Sequence, residues 1–203
     1  MTRENDQTEI VRKVVVVFDI SSSTTILEEL KRCDRLDAWR NLLINLKNTM
    51  RSKGVEIYKF MGDGWIIFFP FDVSKEDLLI NLNELSTMYF YFFQQTIEPL
   101  IPERPEPLGL TAGIDSGELI RMEMNEKDEF IGRPINVAAR LQGRAKEFGS
   151  KQYTNVALIS RPTYNSLLPR GGSFDEVVTE KTVELKNISG GENFRCFLLG
   201  LVT

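Results

Sequence analysis

The hydrophobic positions of the chain alternate between short β-branched runs and longer segments with helical spacing. Residues 13–20 read KVVVVFDI, a continuous apolar run that is typical of a buried central strand. A length of 203 residues suits one hydrophobic core. We therefore expect a flexible N-terminus at residues 1–12 and a single folded domain at residues 13–203.

Helical spacing and turn residues predict the elements that follow this strand. Two helices are expected before Gly54, with Ser21, Ser22 and Ser23 as possible N-caps. A hairpin is predicted next because Gly62-Asp63-Gly64 separates two β-rich runs. The remaining predicted elements are a helix capped by Ser74 that ends near residue 97, a hairpin of residues 108–115 and 118–124 that turns at Ser116-Gly117, a loop through Gly132 and Pro134 that leads into a helix within residues 129–148, a strand at 153–159, a short helix at 160–167, and closing strands at 174–185 and 194–202.

This order of elements predicts an α+β fold. Strands that arrive as hairpins pair in an antiparallel way, and the intervening helices must cover the apolar side of the sheet. We expect a ferredoxin-like core with a central, mostly antiparallel sheet and with helices packed on one face.

The composition excludes several classes of protein. Apolar residues at 42% and charged residues at 27% are ordinary for a globular chain, and a net charge of -4 predicts no nucleic-acid partner. The chain contains no histidine, so catalytic triads and zinc sites that use imidazole are excluded. Two well-separated cysteines and apolar runs far shorter than about 20 residues predict a cytoplasmic protein without a membrane span.

Two aspartates follow strands that should lie side by side. Asp19 ends the central strand and Asp63 occupies the tip of the first hairpin, so both carboxylates can meet at one end of the sheet. Together with the backbone carbonyl of Ile20 they would offer hard oxygen ligands for magnesium or manganese. Simpler interpretations are also open, since Asp-Gly is a common hairpin turn and an aspartate can cap a helix.

A second candidate pair lies on a later helix. Asn136 and Arg140 are four residues apart, so they share one helix face and can approach one ligand together. An exposed polar face explains the two residues equally well.

Four segments taken together resemble the class III adenylate and guanylate cyclases. They occur in the order of that family and extend over nearly the whole chain from residue 13. The segments are FDISSST (residues 18–24), KFMGD (residues 59–63), GLTAGIDSGEL (residues 109–119) and IGRPINVAARL (residues 131–141).

The resemblance implies a homodimer with active sites at the subunit interface. Asp19 and Asp63 look like the aspartates that hold two Mg²⁺ or Mn²⁺ ions per active site, and Asn136 and Arg140 look like the transition-state pair that the other subunit donates. Lys186 is similar to a lysine that contacts the terminal phosphates of the nucleoside triphosphate.

The expected base pocket departs from the common pattern of the family. Adenylate cyclases pair a lysine with an aspartate or threonine, whereas this chain has Lys59 and Glu129. The extra methylene of the glutamate leaves less room for a purine. A family arginine is also replaced by Thr111, which leaves one phosphate contact without a residue.

The smaller pocket and the segment EFIGRPIN resemble the pyrimidine cyclases of bacterial Pycsar antiphage systems. This resemblance implies a UTP or CTP cyclase whose cyclic UMP or cyclic CMP is read by a separate effector protein. Cyclic AMP synthesis from ATP is the alternative for the base.

Two other classes of function remain open. One is a catalytically inactive nucleotide-binding module that signals through dimerisation. Another is a different two-metal nucleotidyl transferase on a ferredoxin-like core, such as a polymerase palm or a cyclic-dinucleotide synthase. Against the latter, the sequence contains neither a Gly-Gly-Asp-Glu-Phe signature nor a GxxxxGK phosphate loop.

Overall fold

The computed structural model describes residues 8–167 and 178–201, which form one sheet covered by helices. The strands within these residues are β1 Glu9–Ile20, β2 Glu56–Phe60, β3 Gly64–Pro70, β4 Leu110–Met124, β5 Lys127–Ile131, β6 Val156–Ser160, β7 Val178–Val183 and β8 Phe194–Gly200. The α-helices are α1 Ser23–Arg32, α2 Leu36–Ser52, α3 Lys75–Thr96, α4 Arg133–Ala145 and α5 Arg161–Ser166.

The sheet has β1 near its centre. Its strand order is β2-β3-β1-β4-β6-β8-β7, and β5 pairs with the outer half of β4. The β4/β6 pair is parallel, while the other described strand pairs are antiparallel. The predicted α+β fold with a mostly antiparallel central sheet is therefore confirmed.

Both faces of β1 are buried. Val14, Val16 and Phe18 lie in the large core that α1, α2 and α3 cover. Val15 and Val17 lie in a smaller cluster on the opposite face, where α4 contributes Ala138. The prediction that the helices pack on one face is therefore wrong, because a continuously apolar strand has to be covered on both sides.

The second predicted hairpin is also wrong. Ser116-Gly117 does not turn the chain, since β4 continues without a break from Leu110 to Met124. The reason is that β1 begins at Glu9, within the segment predicted to be flexible, and its first residues pair with β4 beyond Gly117. The turn lies instead at Asn125-Glu126, where both residues have positive φ, and β5 replaces the predicted loop.

Other predicted elements agree with the structure apart from their ends. Ser74 accepts a hydrogen bond from the backbone N–H of Asp77 and caps α3, as expected. The predicted closing strands correspond to β7 and β8. Residues 174–177 and 202 of that prediction, and residues 1–7 of the N-terminus, lie outside the described residues. Within 8–167 and 178–201, no helix combines the length and apolar character that a membrane span requires.

Gly113 sets the distance between β4 and α4. A Cβ at this position would lie 2.0 Å from the carbonyl oxygen of Ala138 and 2.2 Å from the backbone nitrogen of Gln142. The helix backbone therefore rests directly on the strand backbone. Because α4 carries several candidate site residues, this contact fixes where they lie relative to the sheet.

We expect Gly113→Ala to lower the free energy of unfolding by about 1–3 kcal/mol, because the methyl group would push α4 away from the sheet. Gly143→Ala is the matched control, since a Cβ at Gly143 has nothing within 4 Å. That control should raise stability by up to about 1 kcal/mol through better helix propensity. Urea denaturation followed by circular dichroism measures both changes. Equal effects of the two substitutions would contradict the close approach at Gly113.

Candidate active site

The end of β1 meets the turn that precedes β3. The backbone N–H of Ile20 donates to the carbonyl oxygen of Asp63 at 3.1 Å. Gly64 permits this approach, because a Cβ there would lie 2.0 Å from the carbonyl oxygen of Phe18. The backbone thereby places Asp19 and Asp63 next to each other, as the sequence predicted.

The Asp63 carboxyl lies close enough to Asp19 for the two groups to interact electrostatically. Burial raises the pKa of the Asp19 carboxyl above its ordinary value, and neighbouring Asp63 adds to that rise. Two ionised carboxylates side by side at this edge of the sheet repel each other, so a divalent cation between them would be favoured. The donor set consists of hard oxygens and fits magnesium or manganese.

Within the described part of the chain, the aspartate pair does not belong to a larger acidic cluster. Among residues 8–167 and 178–201 there is no group of three or more histidine, cysteine, aspartate or glutamate residues that could hold a metal ion. Further ligands would therefore have to come from backbone carbonyls such as that of Ile20, from water or from substrate oxygens.

The three serines after β1 do not cap α1 with their side chains, contrary to expectation. Ser22 occupies the N-cap position with φ 57°, and its hydroxyl donates to the carbonyl of Pro107 instead. Ser23 donates to Asp63 Oδ2 at 2.5 Å. Ser23 thus orients a candidate metal ligand, a role that its place in the FDISSST segment alone did not indicate.

Lys146 contacts the other aspartate. Its ammonium donates to Asp19 Oδ2 at 2.7 Å and opposes the rise in the Asp19 pKa that burial causes. The Asp19 side chain is only 16% exposed, whereas that of Lys146 is 49% exposed. The sequence analysis missed this residue, because a lysine just after a helix is usually explained by the helix dipole.

Lys59 and Glu129, the predicted base-pocket pair, also lie together. Lys59 Nζ is 3.3 Å from Glu129 Oε2, although the two residues are on strands that do not pair with each other. The β4/β5 hairpin folds over the sheet face that Val15 and Val17 line, and Phe130 packs there with Phe68 at a ring-centroid distance of 5.1 Å.

A bulge in β2 makes the Lys59–Glu129 contact possible. Ile57 pairs with Ile67, yet Lys59 pairs with Ile66, so one extra residue lies between them. The bulge turns Lys59 onto the same sheet face as Tyr58, where strict alternation would have put the two side chains on opposite faces.

Tyr58 is a further site residue that sequence reasoning missed. Its hydroxyl donates to Glu129 Oε2 at 2.5 Å and accepts the backbone N–H of Phe130 at 3.0 Å. The hydrogen bond from Tyr58 is the main cause that lowers the pKa of the Glu129 carboxyl, and Lys59 adds to it. The glutamate is therefore fixed as an ionised acceptor.

Asn136 and Arg140 are exposed on α4, and Lys186 is exposed in the segment between β7 and β8. Arg140 and Lys186 line one cleft of about 210 Å³. Asn136 lines an adjacent cleft of about 440 Å³. The structure thus brings Lys186 and Arg140 to the same cleft.

The aspartates line neither of these clefts. Lys146, which contacts Asp19, follows Arg140 by six residues and Asn136 by ten. A helical rise of 1.5 Å per residue separates these positions by about 9 Å and about 15 Å along the axis. Within one chain, the carboxylate pair and the Asn136/Arg140 pair therefore lie in two separate places.

Solved structures with this arrangement of elements are known. No protein-family model and no curated protein sequence matches the chain. A bacterial light-regulated adenylyl cyclase superposes with a TM-score of 0.71 and 15% identity, over 96% of this chain and 54% of the other, so this chain spans about half of it. The adenylyl cyclase CyaB from P. aeruginosa superposes with a TM-score of 0.70 and 21% sequence identity, over 95% of both chains. The guanylyl cyclase Cya2 superposes with a TM-score of 0.70 and 17% sequence identity, over 96% of this chain and 94% of the other.

The chain has the class III cyclase fold.

One departure from the expected cyclase pattern can be located within this class III fold. Thr111, which stands where the sequence resemblance led us to expect an arginine, is fully buried beside Asp19 in the β1/β4 register. Its hydroxyl accepts a hydrogen bond from Gln142 Nε2 at 2.8 Å. A neutral hydroxyl satisfied by a neighbouring amide supplies no positive charge to a phosphate.

We expect Tyr58→Phe to raise the pKa of the Glu129 carboxyl towards its ordinary value, because the substitution removes the main hydrogen bond to the carboxylate. Glu129 would then protonate at higher pH than in the unmodified protein. Carboxyl ¹³C chemical shifts followed through an acid titration measure the change. Tyr91→Phe is the control, since Tyr91 is exposed on α3 and does not touch this pocket. An unaltered Glu129 titration in Tyr58→Phe would contradict the assignment.

Proposed function

We propose that the chain is a nucleotidyl cyclase that closes a pyrimidine nucleoside triphosphate into a 3′,5′-cyclic monophosphate and releases pyrophosphate. The observation that supports this activity best is that the backbone places Asp19 and Asp63 next to each other at the end of the central strand, on a class III cyclase fold. Two neighbouring carboxylates cost free energy through their mutual repulsion and, for Asp19, through burial. Their cost is explained by a cationic ligand.

Asp19, Asp63 and the carbonyl of Ile20 would hold two Mg²⁺ or Mn²⁺ ions per site. When bound, such ions lower the pKa of the ribose 3′-hydroxyl and neutralise charge on the triphosphate. Ser23 orients Asp63 through its hydrogen bond, so that the carboxylate keeps a fixed direction towards the ions.

Asn136, Arg140 and Lys186 would act on substrate bound at the aspartates of a second copy of the chain. The Arg140 guanidinium can make bidentate contacts to the phosphoryl oxygens that gain charge during transfer. The Asn136 amide can orient the ribose, and the Lys186 ammonium can contact the terminal phosphates. A homodimer follows from the separation of the carboxylate pair and the Asn136/Arg140 pair, because one chain alone does not bring them together.

Lys59 and Glu129 would read the base. Their ammonium and carboxylate offer a donor and an acceptor side by side, which suits the edge of uracil or cytosine. The glutamate and the rings of Tyr58, Phe68 and Phe130 fill this part of the site, which favours a smaller base. The proposed products are cyclic UMP or cyclic CMP, signals for a separate effector protein in antiphage defence.

The product assay tests both the activity and the base. Purified protein is incubated with Mn²⁺ and with ATP, GTP, CTP or UTP in turn, and products are identified by mass spectrometry. We expect a cyclic pyrimidine nucleotide. Cyclic AMP as the main product would reject the pyrimidine assignment, whereas no cyclic product from any substrate would leave the catalytically inactive module as the better interpretation.

Asp63→Asn should lower turnover more than about 100-fold, because the amide keeps the size of the side chain but loses the charge that binds the metal. The dimer, measured by light scattering, should be unchanged. Asp72→Asn serves as the matched control, since Asp72 is exposed in the loop between β3 and α3 and should leave turnover as it is. Turnover near normal in Asp63→Asn would remove this residue from the metal site.

Mixing two inactive variants tests the shared site. Asp19→Ala and Arg140→Ala chains that exchange subunits at random form mixed dimers in half of the population, each with one intact site. Activity should therefore recover to about a quarter of the unmodified level. A mixture that stays inactive although subunit exchange is demonstrated would contradict the two-copy arrangement.

A further inference from the structure

Lys146 places a positive charge directly in the carboxylate pair. Among the residues that the structure describes, it is the basic side chain that is ion-paired with either aspartate. Its Nζ lies 2.7 Å from Oδ2 of Asp19, an oxygen that a metal ion would also use. The contact therefore concerns the chemistry of the site and not only the packing of α4.

The position of Lys146 is set by contacts on either side of it. Asp19 projects from the sheet face that α4 covers, together with Val15 and Val17. One helical turn before Lys146, Gln142 is anchored to Thr111, the residue that pairs with Asp19 across the β1/β4 ladder. The end of α4 is thus held over Asp19, while the half-exposed lysine side chain keeps the freedom to change partner.

A divalent cation and an ammonium group repel each other at a shared oxygen. A metal ion that binds to Asp19 Oδ2 must therefore displace the Lys146 ammonium. The released ammonium would still be beside the site, and the triphosphate that arrives with the metal carries several negative charges. Thr111 on the adjacent strand contributes no charge there, so Lys146 has no cationic competitor on β4 for these phosphate oxygens.

We propose that Lys146 is a substrate-binding residue that exchanges partners: it pairs with Asp19 before the metal and nucleotide bind and contacts the triphosphate afterwards. This inference rests on the proposed function, since it takes Asp19 as a metal ligand. It has two consequences of opposite sign. Lys146 weakens the binding of a metal ion alone and strengthens the binding of a triphosphate that carries the metal.

The two affinities can be measured without turnover. Isothermal titration calorimetry gives the Kd of Mn²⁺ alone and then the Kd of inorganic tripolyphosphate at saturating Mn²⁺. In Lys146→Gln we expect Mn²⁺ to bind about fivefold more tightly, because a partly exposed ion pair no longer competes. Tripolyphosphate should bind about tenfold more weakly, because a charge-assisted hydrogen bond is lost.

The controls separate this inference from the proposed function. Lys146→Arg keeps the cation and should restore both affinities to within about twofold, and Lys151→Gln removes an exposed lysine of the α4–β6 connection and should change neither. Mn²⁺ binding that does not depend on Asp19, tested with Asp19→Asn, would reject the metal site and with it the proposed function. If Mn²⁺ binding does require Asp19 but Lys146→Gln fails to tighten it, or leaves tripolyphosphate binding unchanged, the exchange of partners is overturned.

Discussion

The close contact between the end of β1 and the turn before β3 is the constraint on which the candidate site depends. Gly64 removes the side chain that would hold the two backbones apart, and the N–H of Ile20 fastens one to the other. Two carboxylates are thereby held next to each other, and burial disfavours the charge of Asp19. A hydroxyl from Ser23 and an ammonium from Lys146 offset part of that cost, and both come from helical segments that begin or end at this edge of the sheet.

Much of the site could be predicted from the sequence, because short-range patterns determine it. The apolar run that ends in Asp19 predicts a buried strand, and the Gly-Asp-Gly turn around Asp63 predicts a hairpin. A strand of that hairpin pairs with the buried strand. Tyr58 could not be predicted, since strict alternation puts it on the face opposite to Lys59 and only the bulge in β2 turns both side chains to Glu129. Bulges are properties of the strand pair and leave little trace in one sequence.

The errors in the fold come from long-range pairing. Ser116-Gly117 has the composition of a turn, but the first residues of β1 extend the ladder past it and keep the chain straight. The actual turn uses Glu126 at a positive φ, a position that its residue type does not signal. The placement of α4 on the second face likewise depends on Gly113. The sequence alone does not show that this glycine lets a helix backbone approach the strand.

Helix α4 carries Asn136 and Arg140, and Lys146 follows directly after its last residue. Its thirteen residues span about 20 Å, a length over which an α-helix is stiff. Arg140 faces outwards along this helix, while the turn after it delivers Lys146 to Asp19. The contacts that hold α4 on the sheet at Gly113 and Gln142 therefore also fix how far the Arg140 guanidinium stands from the carboxylates of its own chain.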